Sequence, residues 1–259
     1  MHPAPDLPHV YELVVCDVVD SALDEARRLA RAGAGEGTLV WAQEQTAARD
    51  YSGRPQPSPP GNLYACLILQ PEYPPAISMQ LNYVAAVSLG MTLADLALPM
   101  TDLRYGWPNA VQLSGDLAGS VTLEFIPRRA GKLPDLLLGV TVNVKNDSGV
   151  DDLGSTSLQA EGLDGVTPAE VLEGFARHFV SWINRWADDG FAPVRRAWMQ
   201  RMVGLGEIGE IRLQGKTLRG KLVEIDEHGA LILESSDGTR HALGVADYYG
   251  LESGQETGS

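Results

Sequence analysis

Residues 36–69 read EGTLVWAQEQTAARDYSGRPQPSPPGNLYACLIL, and the fold turns on how this stretch divides. Residues 38–43 (TLVWAQ) have the β-branched and aromatic character of a strand. Residues 63–69 (LYACLIL) form an unbroken apolar run of strand length, as expected where both faces are covered. Between them lies EQTAARDYSGRPQPSPPGN, whose four prolines break any helix or ladder. An irregular connection of that length inside a compact domain is usually functional or mobile.

Working outward, residues 10–19 (VYELVVCDVV) predict a strand. Asp20 or Ser21 then caps a helix with Ala22, Ala26, Leu29 and Ala30 on one face, ending at Gly33. Residues 75–96 predict a helix with Leu81, Val84, Ala85 and Leu89 inward. Short strands are expected at 102–105, 119–126 and 136–143; the last, LLLGVTVN, has the composition of a central strand. Thr167-Pro168-Ala169-Glu170 is a capping box with proline at the first helical position. The helix that it opens carries Val171, Phe175, Phe179, Ile183 and Trp186 at core spacing, and a second helical piece covers 193–202.

After Gly204 the texture changes. Gln214-Gly215, His228-Gly229 and Asp237-Gly238 are hairpin signals, and five or so short strands in 207–250 predict a small barrel. The expected organisation is α+β: a large domain over 10–204 and a small β domain over 205–251. Flexible ends are expected at 1–9 and 252–259.

The composition is that of a globular protein, with 44% hydrophobic and 21% charged residues in 259. A net charge of −14 repels phosphate backbones and argues against nucleic acid as a partner. No signal peptide and no apolar run of membrane-spanning length are read, so a cytoplasmic protein is expected. Cys16 and Cys66 sit in apolar runs and read as buried thiols; no spacing points to a metal site. Lysine occurs only at 132, 145, 216 and 221.

Several segments, in consistent order, resemble the biotin/lipoate protein ligase family. Residues 36–69 look like its EQTAGRGRRGR-type loop leading into SPPGNLY and a strand. YGWPNAVQLSGDLAGSVTLE (105–124) resembles the KWPND…KLAGIL segment, and LLLGVTVNVKN (136–146) the GIGINVN strand. GSTSLQAEG (154–162) and DGFAPVRRAWMQRMVGLG (189–206) resemble the end of the ligase domain. KLVEIDEHGALILESSDGTRHAL (221–243) is similar to the SH3-like domain of bacterial biotin ligases. The resemblance implies a class II synthetase-like mixed sheet flanked by helices, plus an SH3-like barrel. The length leaves no room for the helix-turn-helix that some members carry in front, so repressor function is not expected.

The activity that the resemblance implies has two steps. A carboxylic acid attacks the α-phosphate of ATP, giving an acyl-adenylate and pyrophosphate; a lysine of a carrier domain then takes the acyl group. Such chemistry needs positioning and positive charge between two anions. By resemblance, Gln45, Arg49, Tyr51, Gly53 and Gly119 fall at acid-site positions. Arg54, Trp107, Asn109 and Asn143 fall at ATP or phosphate positions. ATP, magnesium and biotin or lipoate are the implied cofactors and substrates of an active enzyme, with no metal ligand set of the chain's own. A biotinyl or lipoyl carrier domain is the implied protein partner, and a homodimer is compatible with the family.

The departures are substantial. Ala48 and Asp50 replace loop glycines, Tyr51 a phosphate-covering arginine, and Gln56 an adenine-packing tryptophan. Gly106 and Ala110 replace the lysine and aspartate of KWPND, and Ala22-Leu23 a Thr-Asn pair. Asp116 stands where the catalytic lysine belongs. Unit charges at about 4 Å interact by roughly 4 kcal/mol at an effective dielectric near 20, and about 1.4 kcal/mol is a decade in rate. Reversing that charge is therefore expected to inactivate the adenylation step unless Lys145 or Arg104 compensates. The expected function is a divergent, ligase-like protein, a pseudoenzyme candidate that binds a small acid or an acylated carrier. An active ligase with a rearranged site and an ATP-independent, cysteine-based acyltransferase are the alternatives.

Overall fold

Ser21 sets the first helix. Its hydroxyl accepts the Asp24 N–H, and Gly33 closes the helix in the left-handed conformation with φ 99°. In the computed structural model, which describes residues 5–49, 53–128, 131–147, 154–213 and 215–250, this helix, α1 (Ala22–Ala32), connects two parallel strands, β1 (Glu12–Val19) and β2 (Thr38–Gln45). β3 (Leu63–Leu69) follows antiparallel to β2, buried along its whole length as its composition requires.

Next come α2 (Pro75–Ser78) and α3 (Leu81–Leu96), then β4 (Leu103–Gly106), β5 (Ala110–Leu113), β6 (Asp116–Ile126) and β7 (Asp135–Val142). These strands complete a seven-stranded mixed sheet in the order β1-β2-β3-β7-β6-β5-β4. The helix expected over 75–96 is thus two pieces joined at Met79 and Gln80. α3 is buried on nearly every side, not on one face, because it lies between the sheet on one side and α4 (Pro168–Asp189) and α5 (Ala192–Met199) on the other. The run Pro75–Leu96 has the length and mean hydropathy, 1.2, of a membrane span, but 78% of its window is buried within the protein.

The two faces of the sheet do different work. On β3, Leu63, Ala65, Leu67 and Leu69 point into the large core with α3 and α4. Tyr64, Cys66 and Ile68 point to the other face, where Ala22, Ala26 and Ala30 of α1 cover them. The Thr167 capping box is present as expected: the Thr167 hydroxyl accepts the Glu170 N–H, and the Glu170 carboxylate accepts the Thr167 N–H. At the N-terminal end, Asp6 donates its backbone N–H to Glu173 at 2.9 Å and Leu7 packs on the core, so these two residues are anchored.

A second, antiparallel sheet follows in the order β11-β10-β9-β8, built from β8 (Ile208–Leu213), β9 (Lys216–Ile225), β10 (Leu231–Glu234) and β11 (Arg240–Leu243). It has four strands where about five were expected, and the last piece of that region is a helix, α6 (Val245–Tyr249). This small sheet fits the SH3-like expectation. The change of texture near Gly204 does not mark a break in the core, however. Leu213, Leu222, Ile225 and Leu231 belong to the same apolar cluster as Tyr83 and Trp198. Tyr83 Oη donates to the Gly229 carbonyl at 2.7 Å, and Arg195 pairs with Glu224 at 2.6 Å.

Candidate ligand-binding cleft

α1 covers only part of its face of the sheet. Beyond its edge the sheet floor is open and forms a cleft of about 470 Å³. Strand register puts the floor together. Ala110 pairs with Ser120, Ser120 with Thr141, and Thr141 with Tyr64 in one row across β5, β6, β7 and β3. Thr122 pairs with Gly139 and Gly139 with Cys66 in the next row. Gly139 leaves room for the Thr122 hydroxyl, since a Cβ there would stand 2.3 Å from Thr122 Oγ1 and turn it aside.

At one end of the floor lies a charge cluster. Arg27 of α1 grips Glu124 of β6 with two hydrogen bonds of 2.7 Å each and also bonds Asp24. The Glu124 carboxylate, foremost, holds the guanidinium charged. Walls come from the start of α1, from Gln45, Ala48, Arg49, Gly53 and Gln56, and from Tyr248 and Tyr249 of α6.

The residues singled out by sequence divide into three groups. Gln45, Arg49, Gly53 and Asn109 line the cleft. Gln45 Oε1 accepts the Ala22 N–H at 2.7 Å while its Nε2 donates to Ser58 Oγ at 3.1 Å, tying the loop to the helix start. Arg49 is exposed at the lip and donates to the Gly53 carbonyl at 2.9 Å. Asn109 is buried; its Nδ2 donates to the Val121 carbonyl at 2.8 Å and to Tyr249 Oη at 3.3 Å. Both of these Nδ2 contacts are within the protein.

Arg54, Trp107, Asn143, Gly119 and Asp116 are not on the cleft wall. Arg54 is exposed. Trp107 donates to Tyr83 Oη at 2.9 Å and meets the Tyr248 ring edge-to-face at 5.9 Å; its bond to Pro108 is cis. Asn143 binds the Thr156 carbonyl at 3.0 Å and Ser155 Oγ at 3.2 Å, holding the 154–158 segment to the sheet. Gly119 is required by the opposite face, where a Cβ would be 2.9 Å from the Thr141 carbonyl oxygen and 3.3 Å from Leu89 of α3. Asp116, at the start of β6, lies against Gly154. Asp50 and Tyr51 form the third group and lie outside the described residues.

The two candidate replacement cations are placed elsewhere. Arg104 pairs with Asp102 at 2.8 Å, and the Lys145 stem folds over Gly61, where a Cβ would be 2.8 Å from its Cδ. Among the described residues no three His, Cys, Asp or Glu gather as a metal site. Burial pushes the Cys66 thiol far up beneath α1, and burial, then Glu25, raises Cys16; neither is poised as a thiolate nucleophile.

Sequence reasoning passed over Ser120, Thr122, Thr141, Arg27 and Glu124. One signal was available: in the run SVTLE (120–124) polar residues alternate with apolar ones, which puts Ser120, Thr122 and Glu124 on one face of a strand.

Comparison with known proteins agrees with this architecture. The profile of the Biotin/lipoate A/B protein ligase family matches residues 57–200. A biotin–[acetyl-CoA-carboxylase] ligase from Paracoccus denitrificans is 34% identical over 235 residues, covering 89% of this chain and 97% of that protein. The bifunctional ligase/repressor BirA of Bacillus subtilis is 29% identical over 88% of this chain and 71% of its own length. Among solved structures, a biotin protein ligase-like protein of unknown function from Silicibacter sp. TM1040 superposes with a TM-score of 0.77 at 23% identity, covering 96% of this chain and 99% of that one. A biotin protein ligase from Aquifex aeolicus, in complex with biotin and ATP, gives 0.73 at 22% identity, covering 91% and 97%.

Proposed function

The chain belongs to the biotin/lipoate A/B protein ligase family, and from that premise we propose that it is a divergent member whose cleft holds a biotin- or lipoate-like acid, free or on a carrier domain, with degenerate ATP-dependent chemistry. The observation that carries this reading is the charge of the wall. The described lining contains no lysine, and its two cations are Arg27, already bound to two carboxylates, and the exposed Arg49. Asp116, at the position where the resemblance expects lysine, lies off this wall against Gly154, so no cation reaches the described lining from there. Asn109, expected to meet metal or phosphate, is engaged by Val121 and Tyr249.

These residues do not fit a nucleotide triphosphate well, so no adenylation step is derived through them. What they do is hold and orient: Gln45 fixes the loop at the mouth, the sheet floor presents hydroxyls, and α6 closes one side. A cytoplasmic location and a biotinyl or lipoyl carrier partner go with this reading.

Pyrophosphate exchange from ATP, run with biotin, lipoate and octanoate in turn, together with calorimetry of each acid alone, tests it. Binding without acid-dependent exchange is the expected result; exchange well above background sinks the degenerate reading.

An intact biotin ligase is the second reading, favoured by the 34% identity to the Paracoccus protein. Transfer of biotin to a carrier, read as a mass increase, decides for it.

A further inference from the structure

Three hydroxyls on the cleft floor have no partner among the described residues. Ser120, Thr122 and Thr141 are half-buried and line the opening, and their side-chain hydroxyls hydrogen-bond to no other described residue. They lie in adjacent positions of β6 and β7, since Ser120 is opposite Thr141 and Thr122 is the next inward-facing residue of its strand. Two residues further along β6 on the same face is Glu124. There Glu124 and Asp24, two carboxylates, face the single guanidinium of Arg27, leaving one negative charge in excess. A carboxylate has about four acceptor sites, and Arg27 fills two on Glu124. The strip is therefore hydroxyl-lined along its length and rich in acceptors at one end. The cation at the opposite, loop side is Arg49.

We propose that Ser120, Thr122 and Thr141, with the Glu124–Arg27–Asp24 cluster, determine specificity. On this proposal the cleft takes a carboxylic acid whose acyl chain ends in an N–H or O–H donor, and selects against a bare hydrocarbon chain. The inference rests on the acid-binding reading above and names its substrate class. The acid's carboxylate lies toward Arg49, away from the excess negative charge, and its donor end lies at Glu124. A plain chain strips water from three hydroxyls and a carboxylate without replacing any of their hydrogen bonds. Sites built to hydrogen-bond a ligand reject the analogue lacking those groups more strongly than apolar sites reject an extra methylene.

The experiment is isothermal titration calorimetry on the full chain with octanoate, 8-hydroxyoctanoate and 8-aminooctanoate, which share a chain length. The expected result is that both substituted acids bind at least tenfold more tightly than octanoate. The preference for the amine falls at least fivefold in Glu124→Gln. In Ser120→Ala/Thr122→Val/Thr141→Val the preference for the hydroxy acid narrows to under threefold, with octanoate gaining affinity. Circular dichroism melts accompany each variant; should the triple variant not fold, Glu124→Gln and the wild-type ranking still decide. Octanoate binding as tightly as the substituted acids overturns this inference and leaves the acid-binding reading standing. Failure of all three acids, and of biotin and lipoate, overturns both.

Discussion

The Asp116 carboxylate fills the space that a side chain at position 154 would need: a Cβ on Gly154 would stand 1.8 Å from Asp116 Oδ1. The neighbouring backbone is tied as well, with the Leu117 N–H donating to the Gly154 carbonyl at 2.9 Å and the Thr156 N–H to the Leu117 carbonyl at 3.0 Å. Gly154→Ala must turn Asp116 aside, and because the obstructing atom is the end of a short side chain the cost is about 1 kcal/mol. Asp116→Ala in the same chain removes the obstruction and restores most of the loss. Urea denaturation of both single variants and the double variant reads this as a coupling between the sites.

Asn62 organises the end of β7 from a distance in sequence. Its Oδ1 accepts the N–H groups of Val144, Lys145 and Asn146, each at 3.0 Å, and its Nδ2 donates to the Asn146 carbonyl at 2.9 Å. Asn62 is buried, so Asn62→Ala strands these groups and costs about 3 kcal/mol or more, at roughly 1–3 kcal/mol per unsatisfied group. Asn62→Asp keeps the acceptor and loses less. Denaturation midpoints with unchanged m-values check the ranking.

Tyr249 ties α6 to the first sheet. Its hydroxyl lies 3.2 Å from Asn82 Oδ1, 3.1 Å from the Val121 carbonyl and 3.3 Å from Asn109 Nδ2. Tyr249→Phe leaves buried Asn82 Oδ1 without this donor and lowers stability by about 1–2 kcal/mol. A thermal melt is expected to fall by several degrees, at roughly 2–4 °C per kcal/mol for large domains.

Acid weakens the start of α1 in a defined window. Two hydrogen bonds from Arg28, above all, lower the Asp20 carboxyl to about 2, below its unfolded value. A group depressed in this way stabilises the fold above its unfolded pKa, near 3.9, and loses that contribution as pH falls toward about 2. Asp20→Asn is expected to flatten the pH dependence of stability in that window, measured by denaturant titrations stepped through it. Asp20 and Arg28 are both substantially exposed, so the effect shrinks in high salt.

The parts of the fold that were legible in the sequence are those whose signal is local. Ser21 and Gly33 bound α1 through capping chemistry carried by the residues themselves, and Thr167 with Glu170 does the same for α4. The apolar run at 63–69 announced a strand buried on both faces. What stayed hidden depends on pairing between distant segments. β5 is four residues long and exists because β6 folds back on it across Ser114 and Gly115. The α3 surface is buried all round because α4 arrives from far along the chain, which no periodicity in α3 announces. The same holds for the cleft. Gln45, Arg49, Gly53 and Asn109 were found by resemblance and do line it. Gly119 is explained by Leu89 and Thr141 on the other side of the sheet, and Ser120, Thr122 and Thr141 become a floor only once β6 and β7 are in register.

α6 is at once the last turn of the small sheet's unit and one wall of the cleft, through Tyr248 and Tyr249. Local unfolding that releases α6 removes these two rings from the wall, so a molecule resting against them is expected to oppose it. Amide hydrogens in β10 and β11, far from any contact with such a molecule, will exchange more slowly when it is bound, by a factor set by its concentration relative to its dissociation constant.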